Sequence, residues 1–277
     1  MSVITITAAD VNKLRTQTGA GMMDCKKALM EAEGDFEKAV DYLRKKGQKV
    51  AANRGDRDAK EGCVLAKVTS DAKRGVVVTL SCETDFVAIN EDFVGFTTNL
   101  LNLAIDKNPA STEAFLALPY ENLTVAEKIT EYVGKIGEKI ELSRYEVVSA
   151  EKVVAYIHPG NKLATLVGFN KAIADEQVGK DVAMQIAAMS PVAVDKGDVD
   201  PSMLEREVEI AKEQLRNEGK PEDKIEMIAK GKIEKFYKES TLLNQEFIKD
   251  SKKTVSQYLN DAEKGLTVTA FKRVALS

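Results

Sequence analysis

Apolar residues recur at helical spacing from the start of the chain. Val11 and Leu14 stand four and seven positions after Thr7, a residue suited to capping a helix start. Gly19 and Gly21 are both expected to end that helix by visiting positive φ. "MMDCKKALMEAEG" predicts a second helix closed by Gly34. "DFEKAVDYLRKKG" predicts a third, with Phe36, Val40 and Leu43 on one stripe and Gly47 as its stop. Lys45 and Lys46 would then lie at its C-terminal end, where positive charge suits the helix dipole. Residues 1–50 thus read as a three-helix module. Residues 51–61 are polar and poor in large apolar side chains, and read as a linker.

The period then changes. "CVLAKVTSDAKRGVVVTLSC" holds two strand-like runs around a charged turn containing Gly75, a β-hairpin signal. A helix follows from Glu91, where Phe93, Phe96, Leu100 and Leu103 step by three and four. Thr124 and Glu127 have capping-box spacing, and Val125, Ile129, Val133, Ile136 and Ile140 read as one apolar stripe. "YEVVSAEKVVAYIHPGNKLATLVGF" repeats the strand–turn–strand pattern. "VGKDVAMQIAAM" adds a helix with Val178, Val182, Ile186 and Met189 in line. The expected class is α+β, with two related subdomains of antiparallel sheet and helix, over 62–140 and over 141–200 completed by 239–277. Residues 201–238 interrupt the second. Leu204, Val208, Ala211 and Leu215 face Ile225, Ala229, Ile233 and Phe236 across the turn "NEGKP", an antiparallel hairpin of coiled-coil-like pattern. The tail should hold a short helix at "TVSQYL" and a last strand, "LTVTAFKRVAL".

Composition narrows the partners. A net charge of -4 does not favour DNA, RNA or anionic lipid as the main ligand. No stretch approaches the roughly 20 apolar residues of a membrane helix. The opening "MSVITITAAD" does not read as a signal peptide, so a cytoplasmic protein is expected. Cys25, Cys63 and Cys82 are too few and too far apart for a disulfide scaffold or zinc knuckle, and read as half-buried apolar fillers. With His158 the sole histidine, a histidine-built metal site is not expected, and no cofactor is implied.

"SCETDFVAINEDF", residues 81–93, is the segment richest in chemistry. Glu83, Asp85, Glu91 and Asp92 could supply an acid–base pair. No nucleophile, glycine-rich phosphate loop or metal set accompanies them, which argues against an enzyme. Phe86 and Val87 read equally as core or as exposed contact anchors, and Asp85 as a turn cap or an acting acid.

Two long segments carry a family resemblance. "LRTQTGAGMMDCKKAL", Leu14 to Leu29, and "SCETDFVAINEDF" resemble the signatures of bacterial elongation factor Ts, and "NEGKPEDKIEMIAKGKIEKF" and "FIKDSKKTVSQYL" are similar to its later segments. The resemblance implies a guanine-nucleotide exchange factor for elongation factor Tu, with GDP, GTP and Mg²⁺ held by that partner alone. It implies an N-terminal ubiquitin-associated-like module with Arg15, Met22 and Met23 at its contact positions. It assigns Asp85 and Phe86, flanked by Thr84 and Val87, to the partner's switch and Mg²⁺ region, and His158 to its phosphate-loop side. Some members of the family dimerise, so a homodimer is possible. Readings that compete with it are a client-binding module and an enzyme built on the acids from Glu83 to Asp92.

Overall fold

The computed structural model of the chain describes residues 5–276. It is a mixed structure of helices and antiparallel sheet, dividing into two compact units. One comprises Met1–Val64, Val78–Tyr145 and Leu276–Ser277; the other comprises Leu65–Val77 and Glu146–Ala275.

The first unit begins with α1 (Ala8–Thr18), α2 (Met22–Glu31) and α3 (Phe36–Asn53). Thr7 closes a capping box with Asp10, and Gly19 ends α1 at φ 68°. Gly21 does not share that role: at φ -59° it is the N-cap of α2. Val11, Leu14, Cys25, Ala28, Leu29 and Ala39 form a small common core, with Phe36, Val40 and Leu43 packed around it. All three cysteines are fully buried rather than half-buried.

The stop expected at Gly47 is not there. α3 runs on to Asn53, so residues 51–53 of the segment read as linker are helical and Lys45 and Lys46 lie inside the helix. The reason is tertiary. α3 packs along α7 (Val125–Ile136), and the two helices meet glycine to glycine. A Cβ on Gly134 would stand 2.7 Å from Gly47 Cα, and one on Gly47 would stand 3.2 Å from the Thr130 carbonyl oxygen. Gly47 is retained for close approach and not for its freedom at a helix end.

The unit also holds α5 (Glu91–Lys107), capped by Asn90, with Phe93, Phe96, Leu100 and Leu101 buried. Phe96 stacks on Tyr132 of α7 at a centroid distance of 4.1 Å. The Thr124–Glu127 capping box forms as expected. Ile140 does not belong to that helix, because Gly137 ends it at φ 82° and Ile140 opens strand β5 (Ile140–Ser149). The short helix α6 (Thr112–Leu116) and the small pair β3 (Pro119–Tyr120) and β4 (Leu123–Thr124) lie between α5 and α7. Strands β1 (Glu61–Val68) and β2 (Arg74–Cys82) make the expected hairpin, in a sheet of order β1-β2-β5, but Gly75 lies inside β2 and not in the turn, where a Cβ would stand 2.7 Å from a Leu166 methyl group.

In the second unit β6 (Lys152–Ile157) pairs with β7 (Leu163–Phe169), and β7 with β10 (Val268–Ala275), both antiparallel. α8 (Glu176–Met189) covers this sheet with Val178, Val182 and Ile186, while Met189 is exposed. Each hairpin is thus followed by a helix, β1-β2 by α5 and β6-β7 by α8. The third strand of each sheet comes from further along the chain. α9 (Pro201–Asn217) and α10 (Glu222–Ser240) form a helical hairpin with their own cluster of Ala211, Leu215, Ile225 and Ala229. β8 (Glu246–Phe247), β9 (Asp250–Thr254) and α11 (Val255–Ala262) complete the unit. They are tied to α8 through the buried Asp181, which accepts from Lys249 Nζ (2.7 Å), Gln177 Nε2 (2.7 Å) and Tyr258 Oη (2.9 Å).

The glycine contact makes a stability prediction. Gly134→Ala should destabilise by about 1–3 kcal/mol, because two helix backbones must separate. Gly95→Ala, exposed within α5 with nothing near its Cβ, should instead stabilise by up to ~1 kcal/mol. Urea midpoints of the two variants check both signs.

Candidate functional site

Strand β2 ends at Cys82, and the chain turns at once into α4 (Asp85–Ala88), a single helical turn. Cys82 is buried, its thiol donates to the Thr84 carbonyl at 3.2 Å, and burial pushes its pKa up to about 12. It anchors the strand end and offers no nucleophile at neutral pH. Thr84 is the N-cap of α4, accepting from the Val87 N–H at 3.4 Å. Asp85 was one candidate for that capping role, and the structure gives it to Thr84. Ala88 faces inward, whereas Asp85 is exposed, Phe86 is 80% exposed and Ile89 is 72% exposed. The core alternative for Phe86 therefore does not hold. Phe86 and Ile89 together leave two large apolar side chains bare on one short turn.

The base of this turn is fixed by two carboxylates that cross over. Glu83 Oε1 accepts the Lys139 backbone N–H at 2.6 Å. Glu138, the neighbour of Lys139, reaches back: its Oε2 accepts the N–H groups of Glu83 (3.1 Å) and Thr84 (3.0 Å), and its Oε1 accepts the Thr84 hydroxyl at 2.7 Å. Arg54 donates to both Glu83 oxygens at 2.9 and 2.8 Å, and Lys139 Nζ reaches the Gly55 and Arg57 carbonyls. The segment after α3, the end of α7 and the turn before α4 are thereby tied together by charge-assisted bonds. Glu83, a candidate catalytic acid by sequence, is occupied in holding backbone. The Lys139 N–H, then Arg54, hold its pKa below the ordinary carboxylate value, against desolvation. Asp92 is likewise engaged, with Lys135 at 3.2 Å.

Phe86 and Val87 form one side of a groove of about 320 Å³. Arg15, the Gly19–Gly21 turn and Tyr132, Lys135 and Ile136 of α7 line it as well. Lys135 packs so closely under the α1–α2 turn that a Cβ on Gly19 would stand 2.9 Å from its Cε. Met22 and Met23 follow Gly21 directly and are 51% and 74% exposed, so they are not the core pair that helix position alone allowed. The structure thus gathers Arg15, Phe86 and Val87 on one groove, and does not bring Met22 and Met23 into its lining. Exposed aromatic, methionine and arginine side chains on a rigid support are the composition of a protein-contact surface.

His158 lies in the other unit, in the turn between β6 and β7. Its N–H donates to the Leu163 carbonyl at 2.8 Å, and Gly160 and Asn161 take positive φ to complete the turn. The side chain is exposed, and the Tyr156 hydroxyl meets Nδ1 at 2.9 Å, which orients the ring and leaves Nε2 outward. Among the described residues, no group of three or more His, Cys, Asp or Glu could hold a metal ion.

Sequence reasoning did not find Ile89, Tyr132, Lys135, Arg54 or Glu138. Ile89 could have been found as the residue three positions after Phe86 on the same helical turn. Glu138 carries no local signal, because its partners are more than fifty residues away.

Comparison with known proteins identifies the family. The family described as Elongation factor TS matches residues 83–277. The chain is 54% identical over 273 residues to the Elongation factor Ts of Flavobacterium psychrophilum, covering 98% of this chain and 99% of that protein. It is 55% identical over 271 residues to that of Amoebophilus asiaticus, covering 97% and 98%. It is 54% identical over 276 residues to that of Cytophaga hutchinsonii, covering 99% of each.

The lowered pKa of Glu83 sets a pH signature. Its contribution is complete above the ordinary value of 4.5 and is lost as pH falls through the lower folded value. Glu83→Gln should therefore lower the urea midpoint near neutral pH, and the gap between variant and parent should close as the pH drops below 4.5.

Proposed function

Because the chain is a member of the elongation factor Ts family, we propose that it promotes release of GDP from elongation factor Tu and so allows GTP to bind there. The observation that carries this reading is Phe86, a bare aromatic ring on a turn whose base is held by six hydrogen bonds accepted by the Glu83 and Glu138 carboxylates. A wedge has to be both exposed and stiff, since a mobile ring would yield instead of displacing its target.

In this reading the nucleotide and Mg²⁺ belong to the partner, and this chain holds no cofactor or reaction centre of its own. Phe86 enters the partner's GTPase domain beside its switch region, with Val87 and Thr84 behind it. Asp85 rearranges the hydrogen bonding that positions Mg²⁺ without ligating the ion. Arg15, Met22 and Met23, on the ubiquitin-associated-like helices, grip the same domain. His158 presses on the phosphate-loop side. The two proteins would meet in the cytoplasm, and α9 and α10, as a coiled-coil hairpin, could serve a homodimer. Exchange then follows from linkage: a protein that binds the nucleotide-free partner more tightly must weaken nucleotide binding by the same factor. A preference of about 3 kcal/mol changes nucleotide affinity by more than a hundredfold.

Phe86→Ala should leave the fold intact, because the ring contributes little to the core. It should slow fluorescent-GDP release from elongation factor Tu by at least ~10-fold at saturating exchange factor. Release as fast as with the parent protein would rule out the wedge.

A further inference from the structure

We propose that Glu138 is a positioning residue for exchange: its carboxylate sets the attitude of the turn that carries Asp85 and Phe86, and so governs how fast the partner releases nucleotide, not how tightly the partner is bound. The inference rests on the exchange reading above.

Of the proposed contact side chains, the one Glu138 is hydrogen-bonded to is Thr84, through its hydroxyl. It sits just past Gly137, which ends α7, and both of its oxygens point at the turn before α4. The two N–H groups that it accepts, from Glu83 and Thr84, belong to the two residues that precede the acid–aromatic pair. Neither lies inside α4 or β2, so neither has a backbone acceptor supplied by a helix or strand. The Thr84 hydroxyl donates to Glu138 while accepting from the Val87 N–H, which fixes the rotamer of the N-cap. One carboxylate therefore controls the entry into a helix only four residues long, too short to hold its own direction.

The arrangement is also reciprocal. Lys139, the next residue, donates its N–H to Glu83, so the chain segments at 83–84 and 138–139 each hold the other's backbone. Arg54 neutralises Glu83 from the segment that leaves α3. A loss at Glu138 leaves the Glu83 half standing. The expected consequence is a loosened turn on an intact fold, not an unfolded unit.

The chemistry distinguishes three substitutions. Glu138→Gln keeps an amide oxygen of the same reach for the two N–H groups and places an NH₂ against the Thr84 oxygen. Glu138→Asp keeps the charge but withdraws the carboxylate by one methylene. Glu138→Ala removes every acceptor.

The test is fluorescent-GDP release from elongation factor Tu, titrated with the full-length parent, the three Glu138 variants and Phe86→Ala. Glu138→Ala and Glu138→Asp should lower the maximal rate about tenfold, with half-saturating concentrations within about threefold of the parent, and Glu138→Gln should recover most of the rate. Amide hydrogen exchange at Glu83 and Thr84 should speed up in the Ala and Asp variants and stay slow in the Gln variant. If Glu138→Ala does not fold, Glu138→Asp carries the same comparison. An unchanged maximal rate with faster amide exchange, or equal losses in all three variants, overturns the positioning role. If the parent itself does not accelerate release, the exchange reading fails instead, and amide exchange alone decides whether Glu138 holds the turn.

Discussion

The functional end of the first unit depends on a pair of crossed carboxylates. Glu83 and Glu138 each accept backbone N–H groups from the other's chain segment. Backbone donors in a turn must find partners, and here they find ionised ones, which form shorter and stronger bonds than neutral acceptors. Arg54 pairs with Glu83, and three donors converge on Glu138. The exposed ring of Phe86 can be held still only because the residues just before it are held in this way.

The second constraint is the glycine contact between α3 and α7. With no Cβ on either side, the helix backbones approach closely enough to place the N-terminal helices along α7. Arg15 and the Gly19–Gly21 turn then border the same groove as Phe86 and Val87, over the shared surface of Tyr132 and Lys135. Packing geometry brings residues of two separate sequence signatures onto one groove.

Much of this was legible in the chain. Helix starts at Thr7 and Thr124 obey local capping chemistry and are side-chain caps in the structure, as are Asn90 and Thr254, which the sequence reading does not identify as caps. The apolar stripes of α5 and α8 are buried at Phe93, Phe96 and Leu100 and at Val178, Val182 and Ile186, whereas their last members, Leu103 and Met189, are part-buried and exposed. Where reading from sequence went astray, a local rule was overruled from a distance. Gly47 looked like a helix stop because glycine is common there, yet a second glycine, 87 positions away, keeps it mid-helix. Ile140 fits the helical period of α7, but the left-handed Gly137 breaks the period first. Glu83 looked free to do acid–base work because Arg54 and Lys139 cannot be seen beside it in one dimension.

The sequence by itself determined the elements, since caps, turns and hydrophobic periods act within a few residues. It also marked 81–93 as the segment of interest. Tertiary structure alone decided which face each residue of that segment presents. Exposure of Phe86, burial of Cys82 and engagement of Glu83 depend on residues 54, 138 and 139. So too with the sheets: hairpin partners are neighbours in the chain, whereas β5 and β10 join sheets whose other strands precede them by long stretches. Contacts of that range are set by how whole surfaces fit together, a property that no local pattern of side chains encodes.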